Sequence, residues 1–394
     1  MPGQKRIAAI VTTYSPASHA DVIVTKFLKG FPSDDGLIAP EVDIVSMYMD
    51  QLHPKDVGMA LAEEHGVEVC TSIPAALKLG GKELAVDGVL IIGEHGDYAH
   101  NEKGQHMYPR RFFFEQACGV IAASGRRVPV FSDKHLAYDW GNARWMYDRA
   151  RELGLPFMAG SSIPLAWRDP WLEYLLETPL EEALAIGYGG LDSYGFHSLE
   201  LLQCMVERRT GGETGIAAVR CLEGDAVWRA AEEAEWSREL ADTAAERVEP
   251  KEDCPMEAGC PNPAAFQIEY ADGTRATVLM LNGYVRGWAY AGRVDGTVQG
   301  TRAVTGGDPH PHFSYLSRNI QTFFLSEEAP YPVERTLLVT GALDALMDSC
   351  YRDHERVETP HLGISYTSYS EMPIRPTGPR PSGASLVPIV PGRG

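Results

Sequence analysis

In the first 160 residues, short apolar runs alternate with stretches of helical spacing. The runs fall at residues 6–12, 42–49, 67–70, 86–92, 128–131 and 156–159. The helical stretches fall at 19–31, 56–65, 73–79, 108–125 and 140–153. A run such as VDGVLII at 86–92 offers no polar face, so it predicts a strand covered on both sides. Strands alternating with helices of this length predict a parallel, doubly wound sheet. Right-handed crossovers then place the ligand crevice at the carboxyl ends of the strands.

The pattern changes in the second half. Residues 181–187 and 216–222 are strand-like, 195–208 are helical, and 225–241 form a charged helix. From residue 264 onward hairpins are expected, the clearest having an Asp-Gly turn between two alternating strands. A late helix is predicted over 333–348, and the Pro- and Gly-rich tail is expected to be extended or disordered. The fold class is therefore α/β. A Rossmann-like parallel sheet (1–160) precedes an α+β domain with a large, mostly antiparallel open sheet (161–372) and a flexible tail (373–394).

Composition narrows the function classes. The chain has 394 residues, 44% of them hydrophobic, and a net charge of −19. That balance argues against a phosphate-backbone binder and an anionic-membrane binder, leaving small molecules as partners. Seven scattered cysteines are no disulfide framework and fit a reducing compartment. No apolar signal segment precedes the first strand, and no 18-residue apolar stretch occurs, so a cytoplasmic chain is expected.

Candidate chemistry gathers where strands end. The first run leads into Thr12-Thr13-Tyr14-Ser15-Pro16-Ala17-Ser18-His19. A dinucleotide fold has G-x-G-x-x-G here, letting a diphosphate approach the backbone at a helix N-terminus. This loop has no glycine. Its hydroxyls are placed either to cap the helix or to donate to phosphate. Asp50 ends the second strand, at the position of a ribose-binding acid or of an ordinary exposed loop acid. The 86–92 run opens into Gly93-Glu94-His95-Gly96-Asp97-Tyr98, the strongest local site signal in the chain. His106, Arg110 and Arg111 follow, as an anion-binding patch or, more simply, an exposed helix start.

The next strand ends in Asp133-Lys134-His135, and a Lys there can hold a substrate oxygen. Tyr194-Gly195-Phe196-His197 starts a helix with Glu200 on the same face, and His is the usual acid/base near neutral pH. Pro309-His310-Pro311-His312 sets two imidazoles on one side of an extended segment, suited to a substrate or a metal. Cys254 and Cys260 lack a second ligand pair at zinc spacing, so no metal is expected there.

Taken in order, these elements resemble the glucose–fructose oxidoreductase/inositol dehydrogenase family over about residues 5–370. VDGVLII, a helix and VPVFSDKHL resemble that family's fourth strand, helix and Glu-Lys-Pro strand end. Lys134 falls on the active-site Lys, with Asp133 for Glu and His135 for Pro. SYGFHSLE is similar to the family's Asp-x-Gly-x-His-x-x-Asp: Gly195 and His197 match, while Ser193 and Glu200 replace the acids. The segment from Tyr331 onward is similar to the closing helix and strand. The chain departs from the pattern in its missing glycines and in Glu94-His95-Gly96, which replaces a Thr-Pro-Asn-like turn.

The resemblance implies NAD or NADP as cofactor, beside Thr12, Thr13, Ser15, Asp50, Glu94 and His95. It implies catalysis by Lys134, which polarises the reacting oxygen, and by His197, which moves its proton. The sugar-like substrate would also meet Glu94, His95, Tyr98, His135, Tyr194, His310 and His312. An open sheet face further implies a homodimer or homotetramer. One function reading is thus an NAD(P)-dependent oxidoreductase acting on a sugar, cyclitol or related polyol. The alternative is a non-redox, metal-dependent sugar lyase, isomerase or hydrolase using the same fold and its many imidazoles. A third is a silent sugar-binding protein.

Overall fold

Strand formation in the first half follows the apolar runs closely. The computed structural model describes residues 4–33, 36–372 and 374–376. In chain order it has β1 (Lys5–Val11), α1 (His19–Lys29), the short pair β2 (Phe31–Ser33) and β3 (Gly36–Ile38), and β4 (Val42–Met49). Then come α2 (Gly58–His65), β5 (Glu68–Cys70), α3 (Ile73–Lys78), β6 (Gly88–Ile92), α4 (Arg110–Ser124), β7 (Val130–Asp133), α5 (Trp140–Glu152) and β8 (Phe157–Gly160). The six long-range strands form one parallel sheet in the order β5-β4-β1-β6-β7-β8. Alternation explains the double burial: Ile7, Ala9 and Val11 of β1 face one core, while Ala8 and Ile10 face the other.

The second half contains β9 (Trp167–Asp169), β10 (Leu180–Gly187), α6 (Ser193–Val206), β11 (Ile216–Glu223), α7 (Asp225–Glu232), α8 (Arg238–Arg247) and α9 (Met256–Gly259). It continues with β12 (Asn262–Tyr270), β13 (Arg275–Asn282), β14 (Trp288–Val294), β15 (Thr297–Val304), α10 (Pro311–Ser326), α11 (Val333–Tyr351) and β16 (Val357–Glu358). The eight strands pair in the order β16-β11-β12-β13-β10-β14-β15-β9. Only β10 and β13 run parallel, so the sheet is mostly antiparallel, as expected.

Three expectations need correction. The charged helix expected over 225–241 is two helices. The chain breaks at Ala234, which takes a left-handed φ of 58°, and buries Trp236 between them. The Pro-His-Pro-His segment is not extended: His310 caps α10 and His312 lies in its first turn. The large sheet is open, as expected, but β10 is covered on both faces. β10 sends Ala183 and Ala185 to a core under α6 and α11, but Leu184 and Ile186 to a second core with Leu240, Ala241 and Ala244 of α8. Finally, the tail expected from 373 begins with an anchored residue, since the Arg375 side chain is 2% exposed and ion-paired with Glu173. Residues 373 and 377–394 lie outside the described residues.

Helix α10 ties the two halves together. Its Phe313, Leu316, Ile320, Phe323 and Phe324 fill the core on the α1 side of the parallel sheet. On the opposite face, Leu337 of α11 joins the other core, and Thr336 Oγ1 donates to Ala159 O at 2.9 Å. Cys221 of β11 and Cys350 of α11 are disulfide-bonded, a pairing that the scattered cysteines did not announce. No helix among the described residues is long and apolar enough to cross a membrane.

Candidate active site

A cavity of about 420 Å³ opens where β1, β6 and β7 end, walled on the other side by α6, β14 and the start of α10. It brings together Glu94, His95, Lys134, Tyr194, His197, His310 and His312 from the sequence-derived set. His135 and Tyr98 do not line it, nor do Thr12, Thr13, Ser15 and Asp50. His106, read from the sequence only as part of an anion patch or a helix start, lines it too, as do His19, Tyr108, Tyr188, Trp288 and Phe313, to which the sequence reading gave no site role.

The charged centre lies at the ends of β6 and β7. Lys134 Nζ donates to Glu94 Oε1 at 2.9 Å and to Ser193 O at 3.1 Å. Arg110 binds the other Glu94 oxygen, and its Nη1 lies 3.0 Å from His135 Nε2. Arg110 is thus fully buried, not part of an exposed helix start. Gly93 permits this: a Cβ there would lie 2.6 Å from Arg110 Cγ. Burial pushes the Glu94 carboxyl up, but Lys134 and Arg110 more than offset it and hold the group well below the carboxylate range. His135 sits behind this wall, where burial and then Arg110 keep its imidazole neutral. Its placement is therefore a correction to its expected role against substrate.

Imidazoles occupy the rest of the wall. His19 Nδ1 lies 2.6 Å from Asp133 Oδ2, an acid with no solvent exposure. His197 Nδ1 lies 3.0 Å from Ser161 Oγ, while Glu200 accepts from Ser161 N at 2.8 Å. Burial first, then Lys134 and His19, lower the His197 pKa well below its usual value. His312 Nδ1 contacts Thr305 O at 2.7 Å, and burial brings its pKa down to about 3. His95 stays accessible from the cavity, yet the protein around it and His19 bring its pKa to about 4. Tyr194 stacks on Trp288 at 5.5 Å and 19°, an apolar platform across from the charged centre.

Of the residues expected beside a cofactor, Glu94 and His95 line the cavity, while Thr12, Thr13, Ser15 and Asp50 lie outside it, at the ends of β1 and β4. Thr12 Oγ1 donates to Glu94 O at 2.6 Å, and Ser18 caps α1 by accepting from Asp21 N. Asp21 takes Ala17 N at 2.8 Å, so the first turn of α1 already holds an anion. Thr13 Oγ1 is buried and has no hydrogen-bond partner among the described residues. Asp50 is no free acid: it accepts from Tyr48 at 2.7 Å and from Tyr98 at 2.6 Å. Gln51 exchanges two hydrogen bonds with the Asp97 backbone, at 2.8 and 3.0 Å. Together these contacts clasp the β4 loop to the β6 loop. Gly96, at φ 106°, makes room for the clasp, since a Cβ would lie 2.7 Å from the Tyr98 ring.

The chain thus joins a parallel doubly wound sheet to a mostly antiparallel one, with a polar cavity at the strand ends. No family model matches the sequence, and no curated protein matches it. Solved structures match the fold. GenD2 from gentamicin A biosynthesis in complex with NAD is 15% identical, with a TM-score of 0.56 over 91% of this chain and 97% of that one. Apo scyllo-inositol dehydrogenase from Lactobacillus casei is 13% identical, with a TM-score of 0.57 over 90% and 98%. Myo-inositol 2-dehydrogenase from Lactobacillus plantarum is 11% identical, with a TM-score of 0.54 over 90% and 99%. The chain shares its fold with these three proteins across nearly their whole length.

Proposed function

We propose that the chain is an NAD(P)-dependent oxidoreductase acting on a hydroxyl of a sugar, cyclitol or related polyol, with Lys134 and His197 at the reacting carbon. The observation that carries this is their meeting in one strand-end cavity from positions 63 residues apart. Lys134, held by Glu94, presents an ammonium group to the reacting oxygen and orients it. His197 is neutral near pH 7, so a ring nitrogen is available to accept the hydroxyl proton. Tyr194 and Trp288 offer a flat surface to the apolar face of a ring-shaped polyol.

The β1–α1 turn fits the cofactor in one respect, because the unpartnered Thr13 hydroxyl is a donor of the kind a diphosphate takes. The Asp50–Tyr98 and Gln51–Asp97 clasp crosses the same crevice and has to open for the fit to be complete. When bound, the dinucleotide supplies the hydride acceptor. Calorimetry with NAD(H) and NADP(H) tests the reading, followed by turnover with scyllo-inositol, myo-inositol and a panel of aldoses. Absence of binding by all four dinucleotide forms would falsify it.

A further inference from the structure

Among the described residues, one trio of metal-ligating side chains has its ligand atoms within 4.8 Å of one another: Glu223, Cys350 and His354. None of the three lines the strand-end cavity, so the oxidoreductase reading gives them no task.

Two local spacings place the trio. Cys221 and Glu223 stand two residues apart on β11, so both side chains fall on the same face of the sheet. Cys350 lies in the last turn of α11, and His354 follows four residues later, just past the helix end. The Cys221–Cys350 disulfide carries that helix end onto β11, so a Cys-x-Glu pair meets a Cys-x-x-x-His pair.

The turn that presents His354 is held firmly. His354 takes a left-handed φ of 66°, its N donates to Ser349 O at 2.8 Å, and its O accepts from Arg220 Nε at 3.0 Å. Backbone strain of this kind persists where the surroundings impose it, and it concentrates at working sites. Cys221 N donates to Ser349 Oγ at 2.9 Å, which fixes the helix end to the strand independently of the sulfurs. His354 Nδ1 is buried and has no hydrogen-bond partner among the described residues. A buried ring nitrogen without a hydrogen bond is costly, and an ion is one partner that satisfies it. In a tetrahedral zinc site, with Zn–S about 2.3 Å and Zn–N or Zn–O about 2.0–2.1 Å, ligand atoms lie roughly 3.3–3.8 Å apart. The trio stands close to that spacing as it is.

We propose that reduction of the Cys221–Cys350 disulfide opens a site for one zinc ion, with Cys221, Cys350, His354 and Glu223 as its ligands. A dithiol reductant passes two electrons and two protons to the sulfurs and leaves as a cyclic disulfide. Each thiol then gives its proton to solvent as its sulfur binds the ion, and His354 binds as the neutral imidazole. Two thiolates and an imidazole favour zinc over magnesium or calcium. The ion takes over the link between α11 and β11 that the disulfide gives up, so the helix end stays fastened in either redox state.

The test uses the full chain reduced with a phosphine, which takes up one water to become its oxide and does not compete for the ion as a dithiol does. After its removal without air, Co²⁺ is titrated in with absorbance recorded, and Zn²⁺ by calorimetry. The reduced parent should bind one equivalent, with a thiolate-to-cobalt charge-transfer band that the oxidised parent lacks. Cys350→Ser, His354→Ala and Glu223→Ala should each weaken binding at least about tenfold, since even the groups that support a ligand are worth about 10–100-fold. Cys254→Ser, at an exposed cysteine outside the trio, should bind as the parent does. Cys221→Ser cannot form the disulfide and keeps the trio, so it should bind Co²⁺ without prior reduction. It also serves if the reduced parent unfolds, as judged by circular dichroism. No uptake by either the reduced parent or Cys221→Ser, or uptake indifferent to Cys350 and His354, overturns the proposal. The titration contains neither dinucleotide nor polyol, so its failure is distinct from failure of the oxidoreductase reading.

Discussion

Lys134 Nζ and Glu94 Oε1 lie 2.9 Å apart with both side chains almost wholly buried, at 2% and 5% exposure. Glu94 also carries Arg110, so one carboxylate neutralises two buried cations. Removing it leaves both without a partner. Glu94→Ala should therefore cost about 3–5 kcal/mol of stability, measurable by urea denaturation. The Glu94 pKa is depressed in the folded state, so its contribution is complete above the unfolded-state value. It is lost as pH falls through the lower folded value. The gap between parent and Glu94→Gln should accordingly narrow in strong acid.

Lys26 provides a test on the alkaline side. It is buried beneath the start of α10, where its Nζ donates to Pro309 O at 2.5 Å. Burial, partly offset by Asp21 and Asp308, lowers its pKa from 10.5 to about 7. Between those values the unfolded chain binds the extra proton, so stability attributable to Lys26 rises with pH across that window. The slope is at most about 1.4 kcal/mol per pH unit for one proton. Lys26→Met should remove this component, seen as a flatter difference in denaturation midpoints between pH 7 and 10.

The clasp across the strand-end crevice should oppose cofactor binding. Tyr98→Phe and Gln51→Ala each delete part of it without touching the cavity lining. If each contact is worth about 1 kcal/mol, either change should tighten NAD(P) binding by roughly fivefold, as read by calorimetry. Unchanged affinity in both variants would show that the clasp does not compete with the dinucleotide.

Glu200 sits behind His197, connected to it through Ser161. Burial raises its pKa to about 7, so the folded chain retains a proton there that the unfolded chain releases from about pH 4.5 upward. Stability attributable to this carboxyl should fall as pH rises across that range. Glu200→Gln should abolish that fall, which thermal melts at pH 5 and pH 7 would reveal.

Much of this architecture is legible in the residues themselves. The β6 and β7 runs are apolar on both faces because helices cover both, and the turn at Asp272-Gly273 sets its hairpin directly. Helix α10 escaped for a physical reason. It buries Ser314, Ser317, Asn319 and Gln321 beside its aromatic residues, which hides the apolar stripe. Asn319 and Gln321 find distant partners, Asn319 Nδ2 donating to Ile374 O at 2.6 Å and Gln321 Oε1 accepting from Glu41 N at 2.7 Å, which local spacing does not reveal. His19 escaped for a similar reason, since its partner Asp133 lies 114 residues away. Lys134 and His197 were legible because each stands in a short local pattern at the end of a strand or the start of a helix.

Trp236, buried at the break between α7 and α8, anchors these helices to the second sheet. Trp236→Ala should cost about 3–5 kcal/mol. It should also increase self-association, which sedimentation velocity would detect, because apolar sheet surface is uncovered.

The position of those two helices has a consequence for the molecule's behaviour in solution. Leu184, Ile186, Leu279 and Leu281 would otherwise form a broad adhesive surface, and the chain shields it with its own most acidic segment. The charge excess therefore serves as a repellent coat over the stickiest part of the protein. Any companion molecule must dock elsewhere or first peel that coat away.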